Sequence, residues 1–162
     1  MTVHVLSREQ RVPRPLTEVF PFFADAWNLE RITPPELRFR ILTPPPIEMK
    51  AGTLIDYQLR LYGVPFRWRT LIESFEPGVS FVDRQLRGPY KVWRHTHRFE
   101  ATPDGQTQMF DRVEYEVPFG PAGSIARSLF VEKQVSRIFE YRREVIERVF
   151  PGAPTSAVRL AG

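Results

Sequence analysis

Residues 107–149 read TQMFDRVEYEVPFGPAGSIARSLFVEKQVSRIFEYRREVIERV, and the change of period inside this stretch decides the fold. Thr107, Met109, Asp111, Val113, Tyr115 and Val117 alternate with Gln108, Phe110, Arg112, Glu114 and Glu116. Successive side chains of a strand leave opposite faces, so this is a half-buried antiparallel strand with Asp111 on the face of Met109 and Val113. After Pro118-Phe119-Gly120-Pro121 the repeat becomes helical. Leu129, Val131, Val135, Ile138, Phe139, Val145, Ile146 and Val149 recur at three- and four-residue steps, with Glu132, Lys133, Glu140, Arg143 and Glu147 opposite. The spacing predicts a helix from about Ala122 to Val149, roughly 40 Å long.

Upstream, the same alternation repeats between short turns. Ile55, Tyr57, Leu59 and Leu61 share one face, opposite Asp56, Gln58 and Arg60. Phe66, Trp68, Thr70 and Ile72 form the next run, after a turn at Tyr62-Gly63-Val64-Pro65. Val79 to Arg87 and Tyr90 to Ala101 follow, divided by Gly88-Pro89, and Pro103-Asp104-Gly105 marks a hairpin. Strands joined by such short turns form an antiparallel meander. Before them, Val3 to Val12 reads as a first strand ended by Pro13. Pro15 then opens a short helix bearing Val19, Phe20, Phe22 and Phe23. Asp25 caps a second short helix through Trp27, Leu29 and Ile32, which Pro34-Pro35 stops.

The expected architecture is therefore α+β. A curved antiparallel sheet of six to seven strands wraps a long C-terminal helix, with two short helices after the first strand. Residues 1–150 form one domain in this reading, and 151–162 a flexible tail begun by Pro151-Gly152. A concave sheet closed by a helix leaves room for a mostly apolar pocket.

Composition narrows the function classes. With 162 residues the chain is long enough to bury a sizeable core, and 13 Phe, 5 Tyr and 3 Trp suit a wide core or a lined pocket. The absence of Cys excludes disulfides, thiolate catalysis and Cys-ligated zinc. The net charge of +4 comes mainly from Arg scattered over outward strand positions, such as Arg60, Arg67, Arg84 and Arg112. No nucleic-acid partner is expected from it, while transient contact with a membrane surface is permitted. Neither a secretory signal nor an apolar run of membrane-spanning length is present, so a cytoplasmic location is expected. Phosphate-binding loops, nucleophile elbows and the zinc motif His-Glu-x-x-His are absent.

The motif that carries most chemistry is Trp93-x-His95-x-His97-x-Phe99. Period two puts both imidazoles on the face of Trp93 and Phe99, at a spacing of about 7 Å along the strand. They are hydrogen-bonded core or rim residues, or recognise a ligand, or catalyse, or bind a metal, which would need a carboxylate as third ligand. Asp111 on the following strand is a candidate partner, because an unpaired buried carboxylate is costly. Asp83 and Asp111 are the carboxylates that strand order brings nearest. Neither a metal nor another cofactor is expected.

The order β-α-α-β(several)-α resembles the START-related helix-grip superfamily, which includes Bet v 1-like pollen allergens, polyketide cyclases and coenzyme Q-binding proteins. Val12-Pro13-Arg14-Pro15-Leu16-Thr17-Glu18-Val19-Phe20 resembles its opening segment, and Asn28-Leu29-Glu30-Arg31-Ile32-Thr33-Pro34 its second-helix segment. Leu86-Arg87-Gly88-Pro89-Tyr90, Trp93 to Phe99 and Ile138-Phe139-Glu140-Tyr141-Arg142 look like a bacterial cyclase/dehydrase-like subgroup. The resemblance covers residues 3–150. It implies binding or transport of a small hydrophobic molecule (a lipid, quinone or polyketide-like compound) in an internal cavity. Tyr57, Phe66, Trp68, Phe81, Trp93, His95, His97, Met109, Tyr115 and Phe139 are the expected lining. The alternative is a cyclase or dehydratase using His95, His97 or Asp111 as an acid–base pair. A third reading has the cavity collapsed and a protein partner on the outer surface.

Overall fold

The structure, a computed structural model, describes residues 3–117 and 124–152, with only the backbone of residues 124–130. The expected start of the long helix at Ala122 and all but the first two residues of the expected tail lie outside the described residues.

Seven antiparallel strands form one sheet in the order β1-β7-β6-β5-β4-β3-β2. They are β1 (His4–Val12), β2 (Arg40–Ile41), β3 (Leu54–Leu61), β4 (Val64–Glu76), β5 (Ser80–Arg87), β6 (Val92–Ala101) and β7 (Thr107–Glu116). From β2 to β7 each strand pairs with the next, as tight turns require. β1 joins the far edge against β7, so the connection from β1 to β2 crosses the width of the sheet. That connection carries the two short helices, α1 (Leu16–Phe23) and α2 (Asn28–Arg31), and a 3-10 turn at Pro35–Leu37. The long helix is α3 (Ser124–Val149).

Two local features differ from the sequence reading. The turn expected over Tyr62–Pro65 tightens to Tyr62-Gly63, both with positive φ (51° and 79°), so β4 begins at Val64. This is the backbone of a two-residue hairpin, which Gly adopts without steric cost. The second helix is a single turn and begins at Asn28, because the Asp25 side chain accepts a hydrogen bond from the Trp27 N–H at 3.0 Å and forms a turn there.

β4 has two register irregularities against β5, between Arg69 and Thr70 and between Ile72 and Ser74. Such breaks bend a strand and raise its twist. The concave face holds the core in two regions. Tyr57, Trp68, Ile72, Tyr90, Tyr115, Val135 and Phe139 belong to one. Val12, Phe20, Phe23, Phe81, Phe99, Met109 and Ile146 belong to the other. On α3, Val135, Phe139, Val145 and Ile146 are buried at helical spacing. Each such side chain contributes about 1.5–3 kcal/mol by leaving water.

The convex face is charged and largely paired. Arg94 bridges Glu73 and Glu114, Arg69 pairs with Asp56, and Arg112 with Glu114. No helix among the described residues is long and apolar enough to cross a membrane.

Candidate functional site

The face that carries the core also carries charge. Cross-strand pairing puts Asp83 opposite His95 and His97 opposite Asp111. Period two turns all four side chains inward, since Phe81, Phe99, Met109 and Val113 on the same faces are buried. The hydrogen bonds run diagonally. His95 Nε2 lies 2.8 Å from Asp111 Oδ1, and His97 Nε2 lies 2.9 Å from Asp83 Oδ2. Each ring directs its second nitrogen to the other carboxylate. His97 Nδ1 is 3.0 Å from Asp111 Oδ1, within ion-pair distance but not aligned as a hydrogen bond, and His95 Nδ1 is 3.8 Å from Asp83 Oδ2. The ring centroids are 3.6 Å apart, far closer than the spacing of about 7 Å expected along an extended strand. Both rings lean toward the carboxylates they share, and Phe81 stacks on His97 at 4.2 Å.

The quartet shifts its own titrations. Burial raises the carboxyl pKa of Asp111, but hydrogen bonds and charge from His95 and His97 outweigh this and leave it far below the ordinary carboxylate value. Asp83 is likewise lowered: burial opposes the shift, and His97, His95 and Arg142 overcome it. Burial lowers both imidazoles, yet the two histidines end in opposite directions. His95 stays below its ordinary value, with the charge of His97 adding to burial. His97 is raised, because Asp111 and Asp83 outweigh its burial. His97, placed between the two carboxylates, is thus the more basic of the two rings.

Asp83, His95 and His97 line one wall of a cavity of about 150 Å³. A single water needs only ~10–15 Å³ of such space, so the cavity has room for an organic group. Most of the rest of the lining is apolar, with Asp25, Asn28, Thr33, Thr70 and Arg142 among its polar residues. Phe23, Ala26, Leu29 and Ile32 come from the α1–α2 region, Ile55, Leu59 and Ile72 from β3 and β4, and Val135, Ile138 and Phe139 from α3. Besides His97 Nδ1, two buried donors have no hydrogen-bond partner among the described residues: Trp68 Nε1 and Arg142 Nε, both on residues in the lining. The Arg142 guanidinium lies 5.0 Å from the Phe139 ring centre. Burial lowers its pKa, against the pull of Asp111, Asp83 and Tyr57.

Of the residues expected to line a pocket, Tyr57, Trp68, Phe81, Trp93, His95, His97 and Phe139 do so. Phe66, Met109 and Tyr115 are not in the lining. Phe66 sits two residues into β4, near the hairpin, and is only partly buried. Met109 packs in the region of Val12, Phe99 and Ile146, and Tyr115 stacks on His4 at 5.4 Å. Asp111 is also outside the lining and holds the two imidazoles. The Tyr57 hydroxyl is bonded to Thr70 Oγ1 at 3.0 Å. Asp83 and Arg142 were not among the expected site residues. A signal existed for each: Asp83 shares the strand face of Phe81, and Arg142 lies three residues from both Phe139 and Val145.

No family model and no curated protein matches the sequence. Solved structures match the whole fold. The ZhuI aromatase/cyclase from Streptomyces sp. R1128 superposes with a TM-score of 0.71 at 16% identity, over 94% of this chain and 100% of that one. A START superfamily protein from Mycobacterium smegmatis gives 0.67 at 11% identity, over 90% and 99%. Major latex-like protein 151 from Panax ginseng gives 0.64 at 12% identity, over 92% and 98%. The fold is the α+β helix grip of these structures. At such identities the likeness carries the architecture alone, and function rests on the cavity's own residues.

Proposed function

We propose that this chain binds a small, mostly apolar molecule bearing an acceptor oxygen or an acidic group. One observation carries the reading. The apolar cavity has two buried donors without protein partners, Trp68 Nε1 and Arg142 Nε, in its lining. Buried polar groups are nearly always hydrogen-bonded, so unpaired donors on residues that line the cavity match a ligand's acceptors. The aromatic and aliphatic walls supply affinity through burial, and the donors orient the polar end. A lipid, quinone or polyketide-like compound has this chemistry.

Solvent extraction of the purified protein followed by mass spectrometry tests the reading directly. An apolar compound with a carbonyl, phenol or carboxylate is the expected result. Displacement of an environment-sensitive dye measures affinity. Ile138→Trp, which fills the cavity from α3, abolishes dye uptake, and Ile138→Ala retains it. An extract without ligand, together with dye binding indifferent to Ile138→Trp, sinks the proposal.

A second reading draws on the 2.8 Å bond between His95 and Asp111. His95 lines the cavity, is held neutral by burial, and is oriented by a carboxylate, as a general base requires. The aromatase/cyclase with the same fold makes a cyclic polyketide-like substrate the natural one to try. In this reading His95→Gln abolishes turnover while ligand affinity stays within a few-fold. Turnover that survives His95→Gln refutes it.

A further inference from the structure

The arrangement of the quartet goes beyond ligand orientation. We propose that His95 Nδ1, His97 Nε2 and Asp83 Oδ2 form a site for a divalent first-row transition metal ion, with Asp111 orienting both imidazoles. The inference does not depend on the hydrophobic ligand, and it departs from the expectation of no metal drawn from the sequence.

The donor geometry is the first argument. The three ligand atoms lie within 4.8 Å of one another, with His97 Nε2 at 2.9 Å and His95 Nδ1 at 3.8 Å from Asp83 Oδ2. Bonds of about 2.0–2.2 Å at octahedral or tetrahedral angles require donor spacings of roughly 2.9–3.6 Å. The widest of the three spacings is at most 4.8 Å, so side-chain shifts on the order of 1 Å bring all three atoms to those distances. Two imidazoles and one carboxylate suit zinc, iron, cobalt, nickel or manganese, whereas magnesium and calcium prefer oxygen alone.

The opposite edges of the rings are the second argument. A metal-bound imidazole usually donates its other N–H to a carboxylate, which sets its tautomer and orientation. Asp111 Oδ1 lies 2.8 Å from His95 Nε2 and 3.0 Å from His97 Nδ1, the remaining nitrogen of each ring. One carboxylate thus lies at the outer nitrogen of both rings, hydrogen-bonded to His95 and within ion-pair distance of His97. It comes from the strand on one side of β6, and Asp83 from the strand on the other. All four groups stand on neighbouring strands inside the sheet, where the backbone is held by ladders on both sides.

Charge is the third. With both imidazoles neutral, Asp83 and Asp111 carry two negative charges against the one positive charge of Arg142. No ion pair joins Arg142 to either carboxylate among the described residues, so Asp83 keeps its lone pairs for a cation. A divalent ion between the carboxylates offsets that excess. Asp83, His95 and His97 line the cavity, so coordination positions not filled by protein face the space where a ligand's oxygen would sit.

The test uses the full chain freed of any affinity tag, stripped with chelator and titrated with Co²⁺. One equivalent is expected to bind, with visible d–d bands. His95→Gln, His97→Gln and Asp83→Asn each remove those bands, Asp111→Asn weakens binding about 10–100-fold, and His4→Gln changes nothing. Proton NMR of the unaltered Co²⁺ protein guards against misfolded variants: two hyperfine-shifted exchangeable imidazole N–H signals are expected, one per ring. The absence of stoichiometric binding by the unaltered chain, the absence of those signals, or binding that survives both His95→Gln and His97→Gln overturns the site. Dye binding measured on the chelated protein reports the cavity separately, so either proposal can fail alone.

Discussion

The two regions of the concave face are built by the same strands and behave differently. Around Phe20, Phe23, Phe81 and Phe99, rings pack edge-to-face, tilted or stacked at centroid distances of 5.3–6.4 Å, and α1 and the C-terminal part of α3 complete the packing. A few residues along β5, β6 and β7, the inward positions are Asp83, His95, His97 and Asp111, and free space opens toward α3. Phe81 and His97, directly paired and stacked, mark the border. Inward alternation therefore places a side chain on the core side without deciding whether it packs or reacts. That depends on what the helices set opposite.

The largest expected effect breaks the packed side. Phe99→Ala, at a position 2% exposed, removes a ring from the aromatic cluster and costs about 3–5 kcal/mol, read from urea unfolding at neutral pH. Dye affinity of the folded fraction stays within a few-fold. A loss of dye binding as large as the loss of stability would show that the two regions are one unit.

Asp111→Ala breaks the charged side. It leaves two buried imidazoles without the carboxylate they share and costs about 3 kcal/mol. Unchanged stability would mean that the quartet is replaceable polar filling.

Acid titration of the metal-free chain separates the regions without mutation. Asp83 and Asp111 are lowered in the folded chain, so the unfolded chain takes up protons first as the pH falls. Their stabilisation is complete above about pH 5 and is lost progressively below it. Higher in pH the histidines oppose one another. The contribution of His97, raised, is present below about pH 6.5 and lost as the pH rises through its folded value. The contribution of His95, lowered, is present above about pH 6.5 and lost as the pH falls. The expected profile of unfolding free energy has a shallow maximum near about pH 6.5 and falls steeply in acid. Phe99→Ala lowers that profile without changing its shape, whereas Asp111→Ala flattens the acid limb.

The smallest stability effect and the most selective binding effect belong to Arg142→Met. Losing a desolvated cation and losing its contact with Phe139 offset each other within ~1 kcal/mol. Affinity for the anionic dye anilinonaphthalene sulfonate falls about tenfold, equivalent to about 1.4 kcal/mol, while neutral Nile red changes less than about twofold. Equal losses for both dyes would show that Arg142 shapes the cavity rather than reading charge.

Much of this was legible in the residues. Alternation along 107–117 and the helical spacing from Val131 to Val149 specified the sheet and the helix across it, because side-chain period follows directly from backbone geometry. The same rule turned His95, His97 and Asp111 inward. It also applied to Asp83 beside Phe81 and to Arg142 between Phe139 and Val145, whose charge on an apolar stripe was the neglected signal. Periodicity could not place Phe66, Met109 and Tyr115 outside the cavity, since it assigns a face and not a height along the strand. Nor could it give the diagonal bonds of the quartet, the 3.6 Å approach of the imidazoles, or the two unpaired donors. Those depend on strand register, on the breaks in β4 and on the seat of α3, all set by contacts between residues distant in the chain. The sequence by itself thus determined that a charged motif lies within the helix grip. Only the tertiary structure decided that His95, His97 and Asp83 converge on one point at a cavity wall, because convergence is a property of three strands held side by side.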